Sequence, residues 1–194
     1  MTLAPREGEE GERHWTVGDY RGLDDDQRYE VLRGQLLMVP ASGRSHQRII
    51  TRLGSLFDTY VAAKGLGECF HAPFDVYLSD DTVVQPDFTF VAADRVDDIV
   101  KSHGVVGAPD LVVEVLSPST ASRDRGEKRA AYAQAGVQWF LIVDPEVQTV
   151  EVFSLGSDGR YEWVDTSSGS ETLTIELFVE LSIPLEEVWP EADE

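Results

Sequence analysis

Glu114 interrupts an apolar run, with Leu111-Val112-Val113 before it and Val115-Leu116 after it. A short β-branched run of this kind reads as a strand buried on both faces. An ionised carboxylate inside such a strand is destabilising unless a counter-charge or a metal ion meets it. Asp87 follows Pro86 in T-V-V-Q-P-D-F-T-F-V, a second strand pattern. Proline inside a strand implies an edge or a local bend, and bends re-aim the neighbouring side chain. If the two strands are neighbours, the carboxylates of Asp87 and Glu114 converge. Two carboxylates, a backbone carbonyl and water are what a hard cation such as Mg²⁺ takes as ligands. Such an ion polarises a phosphoryl oxygen and generates hydroxide, and a lysine aimed at the same point orients that water or balances charge. The chemistry these residue types suit is in-line hydrolysis of a phosphodiester.

The lysine in question is Lys128. Ser117-Pro118-Ser119-Thr120 ends the Glu114 strand, because proline cannot donate to a ladder and hydroxyls favour turns. The pattern then predicts a helix capped by Asp124, with Glu127 completing a capping box and Gly136 ending it in a left-handed residue. Lys128, Ala131, Tyr132 and Ala135 fall on the stripe that packs on the sheet. The plainer alternative for Lys128 is a surface ion pair with Asp124 at i, i+4. Covalent hydrolysis by Ser117 or Ser119 is disfavoured, since no G-x-S-x-G elbow is present and S-P-S-T reads as a turn.

The elements that must position these residues can be read in chain order. Trp15–Tyr20 suggests a short helix capped by Thr16, and Tyr29–Val39 a hairpin turning at Arg33-Gly34, with Glu30 near its start. Glu30 is assigned either to an exposed strand face or to the site. Ser45 begins the strongest helix pattern, with His46, Ile49, Leu53, Phe57 and Val61 on its apolar stripe and Gly65 closing it. His46 faces inward and is a secondary candidate, as is Gln85 in Q-P-D. Arg44, Arg48 and Arg52 form a ridge on another face of that helix; with Arg125 they are the phosphate-contact candidates in an acidic chain. Glu68–Leu78 and Thr82–Val91 read as two strands joined at Ser79-Asp80-Asp81. Residues 92–108 read as a polar connection with a short helix at Asp97–His103, and Thr149–Leu155, Tyr161–Val164 and Leu173–Phe178 as antiparallel strands.

The chain has 194 residues and a formal net charge of −20, which argues against indiscriminate binding to nucleic acid or anionic membrane. Its 42% hydrophobic and 27% charged content is that of an ordinary soluble globule, expected as one domain over 14–190 after a disordered acidic lead-in, 1–13. One cysteine, Cys69, permits no internal disulfide. With no apolar leader or span, a cytoplasmic protein is the expectation.

Pro86-Asp87, Glu114-Val115-Leu116 and Lys128 resemble the PD-(D/E)XK nuclease superfamily. The match is closer to one branch, the Uma2 (DUF820) family of restriction-endonuclease-like proteins. The segments that carry it are Y-E-V-L-R-G-Q-L, the helix opening at His46, Q-P-D-F, P-D-L-V-V-E-V-L-S-P-S-T, the D-R-G-E-K helix with Tyr132, and F-L-I-V-D-P. The resemblance implies an α/β (α+β) fold, a restriction-endonuclease-like mixed sheet flanked by helices, with the C-terminal strands as an addition. By position it makes Asp87 and Glu114 ligands of Mg²⁺ or Mn²⁺, the Val115 carbonyl a third ligand, and Glu30 the additional acid of the catalytic set. The chain departs from the superfamily in one respect. The lysine there stands two residues after the second acid, where this sequence has Leu116, so Lys128 must reach the site from the helix.

The leading expectation is therefore a divalent-metal-dependent DNA endonuclease acting through Asp87, Glu114, Lys128 and Glu30, as a homodimer since twofold pairs are the commonest assembly. The alternative is an inactive protein of the same fold that serves as a binding or assembly module.

Overall fold

A computed structural model describes residues 13–190. The lead-in expected over 1–13 lies outside the described residues except for Arg13. Helix α1 (Val17–Arg21) is capped by Thr16, whose hydroxyl accepts from the Asp19 N–H while the Asp19 carboxylate accepts from the Thr16 N–H. Strands β1 (Tyr29–Leu32) and β2 (Gln35–Met38) form the expected hairpin, with Arg33 and Gly34 at positive φ in its turn. Helix α2 (Arg44–Lys64) ends at Gly65 in the left-handed region.

The two strands expected over Glu68–Leu78 and Thr82–Val91 are in fact four. The first divides at the cis Ala72-Pro73 bond into β3 (Gly67–His71) and β4 (Val76–Ser79). The second divides at Gln85–Asp87 into β5 (Thr82–Val84) and β6 (Phe88–Ala92). Each pair is split between two sheets, so the Pro86 bend is a crossing from one sheet to the other and not an edge feature. The connection after β6 holds a single helical turn, α3 (Val96–Ile99), and the short strands β7 (Val100–Lys101) and β8 (Gly104–Val106) in place of a helix reaching residue 103. Next come β9 (Leu111–Val115), a helical stretch over residues 121–135, then β10 (Trp139–Asp144), β11 (Thr149–Leu155) and β12 (Tyr161–Ser168). Of the last expected strand, Leu173–Phe178, only Leu173 is extended, within β13 (Thr172–Leu173), which pairs with β14 (Ile183–Pro184).

One sheet runs β2-β1-β5-β4-β8-β7; the other, β12-β11-β10-β9-β6-β3, is mixed, with β9 and β10 parallel. The parallel pair is connected by the 121–135 helix, the usual crossover for parallel strands. Side chains alternate across a strand, and in β9 they divide two cores. Leu111, Val113 and Val115 pack with Ile49, Leu53, Phe57 and the C-terminal residues Phe178 and Trp189. Val112 packs on the opposite side with Tyr132, Phe140 and the other sheet's Val76 and Val84. Glu114 shares the Val112 side. No helix among the described residues is long and apolar enough to cross a membrane.

Gly67 opens β3 at φ +150, and a Cβ there would sit 2.0 Å from the Val91 carbonyl oxygen. Backbone cannot retreat cheaply from such a clash. Gly67→Ala is therefore expected to lower the unfolding free energy by roughly 1–3 kcal/mol, read from the denaturant midpoint at unchanged m.

Candidate active site

The C-terminal end of β9 opens on a cleft of about 260 Å³ lined by Glu30, His46, Asp87, Glu114, Asp124 and Lys128, among others. The antiparallel register of β6 on β9 pairs Phe88 with Val113, so Asp87 stands next in line, toward Glu114. Its carboxylate turns onto the neighbouring backbone, and Oδ2 accepts from the Val115 N–H at 2.8 Å. The bend at Pro86 makes this possible, because a regular continuation of β5 would keep Asp87 in the other sheet.

His46, in the first turn of α2, places Nε2 3.1 Å from the same Oδ2. A carboxylate only accepts, so the proton of this bond sits on Nε2. Burial pulls the His46 pKa down, but the hydrogen bond and charge of Asp87, with the Val115 carbonyl and Asp124, more than offset it and leave the imidazole easier to protonate than usual.

Lys128 is the charged centre of the cleft. Its Nζ lies 2.9 Å from Glu114 Oε1, 2.9 Å from Glu30 Oε1 and 3.8 Å from Asp124 Oδ1, and all four side chains are buried. The plainer expectation of a surface pair between Asp124 and Lys128 gives way to a buried cluster. The expected capping box is also absent: Thr120 precedes the helix, which begins as α4 (Ala121–Arg123), and Asp124 is inside it. Residues Asp124–Lys128 form a π turn before α5 (Arg129–Ala135). Such turns are rare and concentrate at functional sites, and this one carries both buried charges. Burial alone would depress the Lys128 pKa; Glu114, Glu30 and Asp124 outweigh it and hold the ammonium well above the ordinary lysine value. Burial pushes Glu114 up, Lys128 pulls it back, and Asp124, Asp87 and Glu30 push it up again. Tyr132, one turn beyond Lys128, donates its hydroxyl to Glu114 Oε1 at 2.5 Å, and burial together with the Glu114 charge raises its own pKa.

Glu30 is thus no exposed strand residue. Its Oε1 accepts from both Lys128 and the Gln85 N–H, the latter at 2.8 Å. Around the cleft, the carboxylates of Asp87, Glu114, Glu30 and Asp124 face Lys128 and His46, an excess of negative charge with hard oxygen donors that fits a divalent cation. Among the described residues no three His, Cys, Asp or Glu side chains gather closely enough to hold a metal by themselves. An ion here would take Asp87, Glu114, the Val115 carbonyl and water, the partly hydrated shell that suits Mg²⁺.

The arginines expected to meet phosphate do not line this cleft. Arg52 donates to the Trp189 carbonyl, Arg125 bridges Glu151 at 2.6 Å and Asp144 at 3.3 Å, and Arg48 is exposed on α2. Arg44 lines a second groove of about 340 Å³ at the start of α2. The arginines that do line the cleft are Arg28 and Arg123; the sequence marks Arg123 only as part of a basic cluster with Arg125, Lys128 and Arg129, and Arg28 is not among its candidates. Arg28 carried a signal, since it stands two residues before Glu30 and alternation puts both on one strand face. Asp124 and Tyr132 lie four residues either side of Lys128, the helical spacing that puts all three together.

A family model, Uma2, described as "Putative restriction endonuclease", matches residues 17–186. Over 139 residues the chain is 30% identical to the uncharacterized protein slr1290 of Synechocystis sp., covering 70% of each. It is 23% identical over 165 residues to the uncharacterized protein sll1609 of the same organism, covering 83% of this chain and 91% of that one. A crystal structure from Anabaena variabilis, described as "a putative nuclease belonging to DUF820", aligns with a TM-score of 0.73 over 90% of this chain and 97% of the other, at 19% identity. That likeness establishes the restriction-endonuclease-like fold.

Lys128→Met is expected to lower stability by roughly 3–5 kcal/mol, because it strands buried carboxylates without a partner. Adding Glu114→Leu should return part of that loss in the same urea titration. A single variant as stable as wild type would show that the cluster carries no buried charge.

Proposed function

The chain belongs to the Uma2 family, and we propose that it is a divalent-metal-dependent endonuclease that hydrolyses DNA phosphodiester bonds. The observation that supports this most is the buried Lys128, bridged to Glu114 and Glu30 in a cleft that Asp87 also lines. Asp87, Glu114 and the Val115 carbonyl would hold Mg²⁺ or Mn²⁺. When bound, the ion supplies Lewis-acid polarisation of the phosphoryl oxygen and a hydroxide nucleophile at neutral pH.

The chain's own residues make that possible. His46 and the Val115 N–H fix the Asp87 carboxylate from two directions. Lys128, kept protonated, favours the anionic form of Glu114 against its burial. Tyr132 and Lys128 both bind Oε1, which fixes the rotamer of Glu114. Glu30 braces Lys128 from the far side and is itself held by the Gln85 N–H. In this reading Lys128 acts by charge balance, since three carboxylates already surround its ammonium. The enzyme would work in the cytoplasm as a homodimer on duplex DNA, with one site for each strand.

The test is nicking of supercoiled plasmid. Wild type should nick with Mg²⁺ or Mn²⁺ and lose activity in EDTA; Asp87→Ala and Glu114→Ala should each lose at least about a hundred-fold. Nicking that survives both substitutions would remove the proposal. The competing reading, a nuclease fold used as a binding module, draws on the absence of a three-side-chain metal cluster among the described residues. Calorimetry that finds no Mg²⁺ or Mn²⁺ uptake at millimolar metal would favour it.

A further inference from the structure

We propose that Arg28, oriented by Gln85 and joined by Arg123, is the anion-binding residue of this cleft and takes a phosphate of the nucleic-acid strand. The inference rests on the nuclease reading and names the contact that an acidic protein needs to hold its substrate.

Several cations near carboxylates are paired with them. Arg95 meets Asp110 at 2.7 Å, Arg125 meets Asp144 and Glu151, and Lys128 meets its cluster. Arg28 is different. It lines the cleft beside Glu30 and Asp87 and is half-buried, yet it makes no ion pair among the described residues. Its Nε and Nη2 instead donate to the neutral Gln85 Oε1, at 3.1 and 2.8 Å. A carboxylate partner would cancel the charge; an amide oxygen holds the guanidinium in one orientation and leaves the charge intact. A guanidinium has five donors in a planar fork, so donors remain for a phosphate oxygen.

The amide cannot turn round. Gln85 Nε2 donates to Asp75 Oδ1 at 2.9 Å and to the Tyr20 hydroxyl at 3.4 Å. Asp75 is pinned in turn by the hydroxyls of Tyr20 and Tyr77, each at 2.9 Å. Arginine has no acceptor and an ionised aspartate no donor, so a flipped amide would oppose both neighbours. Meanwhile the Gln85 backbone N–H holds Glu30. One residue therefore fixes the brace of the lysine and the orientation of the free cation. Arg123, on α4, lines the same cleft half-buried and likewise makes no ion pair among the described residues. The cleft thus carries its negative charge at the base and its unpaired positive charge on these two arginines.

The test is titration of thymidine bisphosphate, phosphorylated on both ribose hydroxyls, into the full chain, followed by NMR or calorimetry across a salt series. Arg28→Ala should weaken binding about ten-fold or more, the loss of one charged hydrogen-bonding group, and reduce the salt slope by about one. Arg28→Lys should restore the slope but only part of the affinity, since an ammonium cannot present a planar fork. Gln85→Leu tests the positioning role: affinity should fall while the salt slope stays, because the charge is present but no longer aimed. Arg160→Ala, on an exposed hairpin turn, should bind as wild type. If Arg28→Ala fails to fold, comparison of Arg28→Lys with Arg28→Gln carries the same test. Wild type that takes up no bisphosphate, or Arg28→Ala that binds as wild type, overturns the assignment. Plasmid nicking judges the nuclease reading separately, so intact nicking with unchanged Arg28→Ala binding would sink this inference alone.

Discussion

The buried ammonium of Lys128 is the contact on which the rest depends. It lets Glu114 sit inside an apolar strand, Glu30 inside the adjoining hairpin and Asp124 inside a helix. These belong to three separate segments of chain, and without a shared cation each would repel the others in a low-dielectric interior. Buried charge of this kind seldom adds net stability compared with hydrophobic packing. Its presence here ties three segments of chain to one point of the cleft.

The second constraint is topological. The chain leaves one six-stranded sheet after Val84 and enters the other at Phe88. Gln85 and Asp87 stand in the gap between β5 and β6. Gln85 uses its backbone N–H on Glu30, and Asp87 reaches the Val115 N–H in the opposite sheet. The junction thereby fixes the distance between the sheets at the point where the cleft opens. Helix α2 adds the third side: its Phe57 packs with Phe178 in the core, and His46 in its first turn reaches Asp87.

Much of this was legible from residue order. The carboxylate between Val113 and Val115 signalled a counter-charge, and the i, i+4 steps from Asp124 through Lys128 to Tyr132 lay on one helix face. The hairpin at Arg33-Gly34 and the left-handed ends at Gly65 and Gly136 came from local chemistry alone. Long-range effects were not legible. Nothing local to Glu68–Leu78 or Thr82–Val91 says that each run is shared between two sheets, because strand partnership is decided by tertiary packing. Asp124 looked like a helix cap because Asp is a good one; burial beside Lys128 overrode that preference. The arginine ridge on α2 was regular in sequence, but Arg52 turned out to be a fastener to the C-terminal segment. Arg28 was passed over because its significance lies in lacking an acidic partner, which only the arrangement in space reveals.

That fastener has a consequence for how the chain can be handled. Phe178 packs at a tilt on Phe57 and edge-on to Tyr60 of α2, Lys64 pairs with Glu180, and the Trp189 carbonyl accepts from Arg52. The segment after β12 therefore clasps the same helix that presents His46 to the Asp87 carboxylate. Trimming the chain before Trp189 would loosen the helix that carries His46, and a boundary drawn for convenience of expression would disturb the cleft without touching a residue in it.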